Sequence, residues 1–462
     1  LGKSDGNLMG CLLTFEDLII LTGSTLQGNW PSSKFAVSTD SRAIGPGELF
    51  IPLVGERFDG HQFIPQAMAQ GAVGVVSQIP VDYPHILVKD TLVVYQQIAR
   101  WWREQFTIPV IGITGSVGKT STKELLTALL GPHTLKSLAN ENNEIGVPKT
   151  LLGLDASHTY AVIEMGMRAL GEIHTLGMIA RSTIGLITAV GAAHLERLGS
   201  LENIAKAKCE LIETLPADGL AVLNGEQPLL LQTAQKILGG RPLLTYGLEA
   251  GEFRGELCND LLWVEGIPFP LPFAGRHQAM NLLGALAVAH RGLGLDLASL
   301  PAQLEGLTLP GGRSKKLEFL LSEDKSESLV FLDETYNAGP EATKAVLDVL
   351  AQTPGKRHIA VLGQMKELGE QSQDYHQQVG AYVKALDLDR LFILECGADG
   401  EAIQKGATGI ESSIHTDHQS LANALQGYLE PGDRVLFKAS RGVRLEVVLQ
   451  AVAAQFTPLA PR

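Results

Sequence analysis

Val110-Ile111-Gly112-Ile113-Thr114-Gly115-Ser116-Val117-Gly118-Lys119-Thr120-Ser121 decides the fold. Four apolar residues read as a buried strand, two glycines punctuate a turn, and residues 119–130 carry a helical pattern. A strand, a glycine turn and a helix ending on Gly-Lys-Thr make a phosphate loop. In such a loop, backbone N–H groups and the helix N-terminus face an anion, the lysine meets the outer phosphate oxygens, and the threonine hydroxyl takes a divalent cation. The strict pattern wants glycine at position 113, where this chain has Ile113. An ordinary glycine-rich turn is the rival reading, and the intact Gly118-Lys119-Thr120 in its strand-to-helix setting outweighs it. Nucleotide triphosphate binding follows, with Thr114, Gly115, Ser116, Val117, Gly118, Lys119, Thr120 and Ser121 as the contact residues.

Working outward, residues 107–312 alternate apolar strands with amphipathic helices. Strands are expected at Tyr160-Ala161-Val162-Ile163 and Ile184-Gly185-Leu186-Ile187, and helices over residues 204–215 and 280–293. That alternation predicts a parallel sheet covered on both faces. Residues 1–106 are richer in Gly, Pro and short β-branched runs, such as Ala72-Val73-Gly74-Val75-Val76, and predict a small α/β unit closed by a helix over residues 95–106. Pro310-Gly311-Gly312 combines a helix breaker with two permissive residues and reads as a hinge. Beyond it, residues 313–462 repeat the alternation, predicting a second doubly wound, Rossmann-like unit. The whole is an α/β chain of three domains.

The chain has 462 residues, a formal charge of −13 and no dense basic block. This argues against nucleic-acid binding, which depends on a basic face. A few aimed donors can still hold an anionic small molecule inside an acidic protein. Cys11, Cys209, Cys258 and Cys396 lie far apart and form no CxxC pair, which fits a reducing, cytoplasmic setting. The longest apolar stretch near the start is interrupted by Glu16 and Asp17 and is too short for a membrane span.

The phosphate-loop variant without its first glycine resembles that of the Mur ligase superfamily, and the resemblance continues along the chain. Thr39-Asp40-Ser41-Arg42 and Gly55-Glu56-Arg57-Phe58-Asp59-Gly60-His61 resemble its UDP-muramoyl-binding segment. Asn140-Glu141-Asn142-Asn143 resembles its asparagine stretch, Ile163-Glu164-Met165-Gly166 its metal-carboxylate strand, and Ala192-Ala193-His194-Leu195-Glu196 its metal-site histidine. Ala207-Lys208 matches a lysine that is carbamylated in relatives, and Gly275-Arg276-His277-Gln278-Ala279-Met280-Asn281 the nucleotide-base segment. Asp333-Glu334-Thr335-Tyr336-Asn337-Ala338-Gly339-Pro340, Leu362-Gly363-Gln364-Met365-Lys366-Glu367-Leu368-Gly369 and Lys438-Ala439-Ser440-Arg441 resemble the branch that adds D-alanyl-D-alanine. Gly339, Gln364 and Ala439 depart from that branch's usual Asn, Asp and Gly.

The resemblance implies an ATP- and Mg²⁺-dependent amide ligase of peptidoglycan precursor synthesis, working as a monomer on UDP-N-acetylmuramoyl-tripeptide and D-alanyl-D-alanine through an acyl phosphate. It implies Thr120, Glu164, His194 and Lys208 at the metals, Lys119 and Arg313 at the phosphates, Asn281, Asp333 and Tyr336 at the adenosine, and Ser41 and Arg42 at the UDP diphosphate. Plainer readings compete: a solvated helix face for Lys208, with Lys206 as an alternative two positions earlier; an ordinary surface or core histidine for His194; a turn-capping aspartate for Asp333; an exposed structural arginine for Arg313; and a surface turn for Ser41 and Arg42. A P-loop kinase would share Lys119 and Thr120, a folylpolyglutamate synthase-like ligase would take glutamate, and other Mur ligases a single amino acid. A non-catalytic nucleotide-binding protein would need only the loop.

Overall fold

The strand Val110–Thr114 is buried along its whole length because it lies third in a seven-stranded sheet whose pairings are all parallel. A computed structural model describes residues 11–30, 34–55, 58–320 and 328–459. Within this central sheet, Val110–Thr114 lies between Tyr160–Glu164 and Ile184–Ile187. The chain first runs outward to one side of it and then to the other, so strand order reverses there. Crevices form at such points, beyond the carboxyl ends of the strands. Glu164 pairs in register with Ile113, and Ile187 with Thr114, so the carboxylate and the phosphate loop emerge at the same level.

The other sections follow the same physics with local differences. The first sheet runs Leu13–Thr14, Lys34–Ser38, Glu48–Phe50, Gly74–Ser77, His85–Leu87 and Leu26–Gln27, with its inner four strands parallel. The closing helix spans Thr91–Arg103, started by Asp90 capping the N–H groups of Leu92 and Val93. Its last residue is buried and ties this section to the central one: Arg103 Nε donates to Ala180 O at 3.2 Å, and Nη2 to Ile108 O at 3.1 Å.

The C-terminal sheet has five parallel strands, Ser412–His415, Arg390–Leu394, Arg357–Leu362, Asp433–Lys438 and Leu329–Glu334. Lys315–Leu320 and Thr457–Pro458 add antiparallel strands at one edge. Asp433 is fully buried and takes both Arg357 Nε and Nη2 at 2.7 Å, the planar two-point pairing that arginine favours. Asp433→Ala would leave that guanidinium without its buried partner. We expect a loss of about 3 kcal/mol, read as a melting temperature lower by roughly 6 to 12 °C.

Two expectations need correction. Residues 256–270 break the central alternation with a three-stranded antiparallel sheet, Glu256–Cys258, Leu261–Val264 and Ile267–Pro270. The helix expected over residues 280–293 begins at Arg276, after Gly275, and loosens into a π turn over Ala287–Gly292. Glu56 and Arg57, quoted above in the UDP-muramoyl resemblance, lie outside the described residues. Among the described residues no helix is long and apolar enough to cross a membrane.

Candidate active site

The phosphate loop closes on two glycines with positive φ. Gly115 has φ 157°, and a Cβ there would overlap Thr188 Oγ1. Gly118 has φ 86°, and a Cβ there would overlap Asn281 Oδ1. Both positions therefore require glycine for backbone shape and for space. Gly118→Ala combines backbone strain with a clash against a buried amide. We expect it to weaken nucleotide binding at least about 100-fold, measured by calorimetric titration with the protein still folded.

The loop is pinned from behind. Ser116 N donates to Ala189 O at 2.8 Å, Ser116 Oγ to Gly191 O at 3.0 Å, and Gly191 N returns a bond to Ser116 Oγ at 2.9 Å. Lys119 begins the helix Lys119–Leu130 and reaches back so that Nζ donates to Gly115 O at 2.7 Å. Burial pushes its ammonium pKa down; Glu164 pulls it up and Arg313 adds to the lowering. Thr120 Oγ1 donates to Glu164 Oε2 at 2.9 Å, and Asn142 Nδ2 to Glu164 Oε1 at 2.9 Å, so the asparagine stretch holds the carboxylate. Lys123, fully buried one helical turn beyond Lys119, donates to Ser137 O and stands 3.7 Å from Glu164. Its place four residues after Lys119 on one helix face was the available signal.

A cleft of about 690 Å³ opens over this loop, with walls from the central and C-terminal sections. Ser116 to Ser121, Glu164, His277 and Asn281 line one side; Arg313, Glu334, Tyr336, Glu341 and Lys438 line the other. The Arg313 guanidinium carbon stands over the Tyr336 ring, 3.6 Å from its centroid, a cation–π contact that ties the two side chains together. Asn281 Nδ2 donates to Gln278 Oε1, and Gln278 Nε2 to Ser314 Oγ at 2.8 Å, linking the two walls. His277 is held neutral by burial, its pKa lowered to about 4, and its Nδ1 has no hydrogen-bond partner. Glu334 and Lys438 stand 3.7 Å apart, with burial pushing the carboxyl up and the ammonium down.

Other candidates fall elsewhere. Asp333 does not line the cleft: its Oδ1 accepts from Thr335 N and Oγ1 at 3.1 and 2.7 Å, the turn-capping arrangement, and Glu334 faces the cleft in its place. Lys208 is buried in the helix Leu201–Glu213, whereas Lys206 is exposed. Lys208 Nζ has no hydrogen-bond or ion-pair partner among the described residues, and burial, followed by the nearby Lys119 ammonium, drives its pKa well below the usual lysine value. His194 caps the short helix Leu195–Leu198 from a left-handed conformation, and its Nδ1 bonds Glu367 Oε2 of the C-terminal section. In the first section, outside the lining of the cleft, Ser41 Oγ donates to Gln66 Oε1 at 3.3 Å. Exposed Arg42 pairs with Asp40 of its own turn, an interaction that holds the Asp40 carboxyl down at about 2.

A divalent cation fits the donor set at the loop: a hydroxyl and a carboxylate 2.9 Å apart are hard oxygen ligands. Among the described residues no three His, Cys, Asp or Glu side chains converge as a metal cage. Magnesium suits such a site, since it takes one or two protein ligands and completes its shell with phosphate and water.

A parallel sheet reversing at a glycine cradle, with Gly-Lys-Thr opening a helix and an acid on the next strand, defines a P-loop nucleotide-binding protein. Residues 36–100 match the family model for the Mur ligase family catalytic domain, residues 113–289 that for the Mur ligase middle domain, and residues 320–441 that for the Mur ligase glutamate ligase domain. The chain belongs to the Mur ligase family. A UDP-N-acetylmuramoyl-tripeptide–D-alanyl-D-alanine ligase of Synechocystis is 49% identical to it, over 91% of this chain and 92% of the relative. The enzyme of the same name from Escherichia coli is 36% identical over 95% and 98%. A crystal structure of MurF from Acinetobacter baumannii superposes with a TM-score of 0.86 over 97% of this chain and all of that one, at 29% identity. The MurF ligase of Thermotoga maritima in complex with ADP superposes with a TM-score of 0.79 at 30% identity, covering 91% of this chain and 97% of that one.

Proposed function

We propose that this protein is the ATP-dependent ligase that joins D-alanyl-D-alanine to the terminal carboxyl of UDP-N-acetylmuramoyl-tripeptide, in the cytoplasm, as a step of peptidoglycan synthesis. The observation that carries the reading is the cleft itself. Lys119, Thr120 and Glu164 face Arg313 and Tyr336 across it, and relatives of that name align over more than nine-tenths of the chain.

The chemistry has two steps. A carboxylate oxygen of the tripeptide attacks the γ-phosphorus as the bond to ADP breaks, leaving an acyl phosphate. The dipeptide amine, having lost a proton, then attacks the acyl carbon, and the C–O bond to phosphate breaks. The protein's part is to position the reactants and to neutralise charge. Lys119 exchanges the Gly115 carbonyl for phosphate oxygens, and Arg313 approaches from the opposite wall. Thr120 and Glu164 would hold Mg²⁺, which would supply neutralisation of phosphate charge. Lys208 is buried, unpaired and shifted toward its neutral amine, the form that adds CO₂ with loss of a proton to give a carbamate. Together with His194, that carbamate would serve a second cation. Asn281 and Tyr336 hold the adenosine, with Glu334 better placed than Asp333 to meet it. Ser41 and Arg42 take the UDP diphosphate, Arg42 leaving Asp40 to do so.

The chain divides on this reading into residues 1–106 for the UDP substrate, 107–312 for ATP, and 313–462 for the acceptor and part of the adenosine. Gly311 and Gly312 form the hinge by which the last section closes over the acyl phosphate and excludes water. Tripeptide labelled with ¹⁸O in its terminal carboxyl tests the mechanism. One label is expected in the released phosphate when dipeptide is present; phosphate released without label contradicts it.

A further inference from the structure

His194 and Glu367 are 173 positions apart, yet the imidazole Nδ1 and the carboxylate Oε2 form a hydrogen bond across the gap between the central and C-terminal sections. The backbones around the pair are docked as well. Glu196 N donates to Glu367 O at 3.0 Å, Gly369 lies against the Glu196 Cα, and Glu341 Oε1 accepts from Ala192 N at 3.2 Å. Both residues of the pair are non-glycine and left-handed, with φ 66° for His194 and 65° for Glu367. Such conformations cost energy and persist where surrounding contacts impose them, commonly at functional sites.

The pairing determines what the ring can do. With Nδ1–H committed to the Glu367 carboxylate, the lone pair is on Nε2, and Nε2 has no hydrogen-bond partner among the described residues. A carboxylate behind the far nitrogen fixes the tautomer and ring orientation of a metal-ligating histidine. Here that carboxylate comes from a different section of the chain than the ring.

We propose that Glu367 is a positioning residue for His194, holding Nε2 toward the second divalent cation, so that this cation site is completed only when the C-terminal section is docked. The inference rests on the reading of His194 as a cation ligand given above. It adds a residue that acts through His194, and it gives the central section a means of sensing closure through one hydrogen bond.

Mn²⁺ binding without turnover tests this. The full-length protein, loaded with a non-hydrolysable ATP analogue and UDP-muramoyl-tripeptide, is titrated with Mn²⁺ and followed by electron paramagnetic resonance. Two bound ions are expected for the unaltered protein. Glu367→Ala is expected to weaken the second ion about 10- to 100-fold while the first is unchanged. Glu367→Gln, whose amide oxygen can still accept from Nδ1–H, is expected to restore most of that affinity. Should the alanine variant not fold, Glu367→Met removes the acceptor at similar volume and reads the same quantity. His194→Ala is expected to lose the second ion altogether. Unchanged affinity for both ions in Glu367→Ala, with the second ion lost in His194→Ala, overturns the positioning role and leaves the ligand reading standing. Two ions bound in His194→Ala overturns both.

Discussion

Lys119→Ala is expected to lower kcat by at least about 10³-fold, because it removes the one cation built into the phosphate loop. In the structure its ammonium is folded back on Gly115 O and lies at the mouth of the loop, where a nucleotide's outer phosphate oxygens replace that carbonyl. The two glycines hold the cradle independently of this side chain, so the variant should fold normally and still bind ADP, though more weakly. Lys119→Arg should be nearly as damaging, since a planar guanidinium cannot act as a compact point charge in a loop this tight. Steady-state kinetics with ATP, set against calorimetric ADP binding and a melting curve, checks the three parts together.

Lys208→Ala is expected to do two opposite things. Activity should fall about 10²- to 10³-fold, the loss typical of removing a preorganised electrostatic group. Stability should hold or rise, because a buried amine with no partner among the described residues forfeits no hydrogen bond or ion pair when it is removed and no longer has to be desolvated on folding. A lysine kept only for packing would show the reverse, with activity intact and melting temperature lowered. Lys206→Ala is the control. It is exposed on the same helix, and its removal should change neither measurement.

Some of this site was legible in the chain and some was not, for identifiable reasons. The loop announced itself because a parallel strand buried on both faces must be a continuous apolar run, and because Gly115 and Gly118 occupy conformations that other residues avoid. Glu164, His194 and Lys208 were found only through the family resemblance; on their own, a strand-end acid, a histidine and a helical lysine look ordinary. Asp333 and its neighbour Glu334 differ in what they face, which the resemblance alone does not distinguish. Adjacent strand residues point to opposite sides, and the structure turns Glu334 to the cleft while Asp333 caps its own turn. The antiparallel strands over residues 256–270 have no clear signature in the chain, because each is three or four residues long and Gly266, Pro268 and Pro270 interrupt any strand-like run. Contacts such as Ser314 with Glu334, or His194 with Glu367, join segments far apart in the chain, and no local pattern announces them.

The central claim is that nucleotide gripped at Lys119 activates a peptide's acid end for one particular amine. Its most direct test offers UDP-muramoyl-tripeptide and ATP with D-alanyl-D-alanine, D-alanine, L-glutamate, L-lysine or no amine, and weighs the product. The account predicts a UDP-muramoyl-pentapeptide with the dipeptide alone, accompanied by stoichiometric phosphate. A phosphorylated stable product, or a product extended by a single amino acid in preference to the dipeptide, contradicts it.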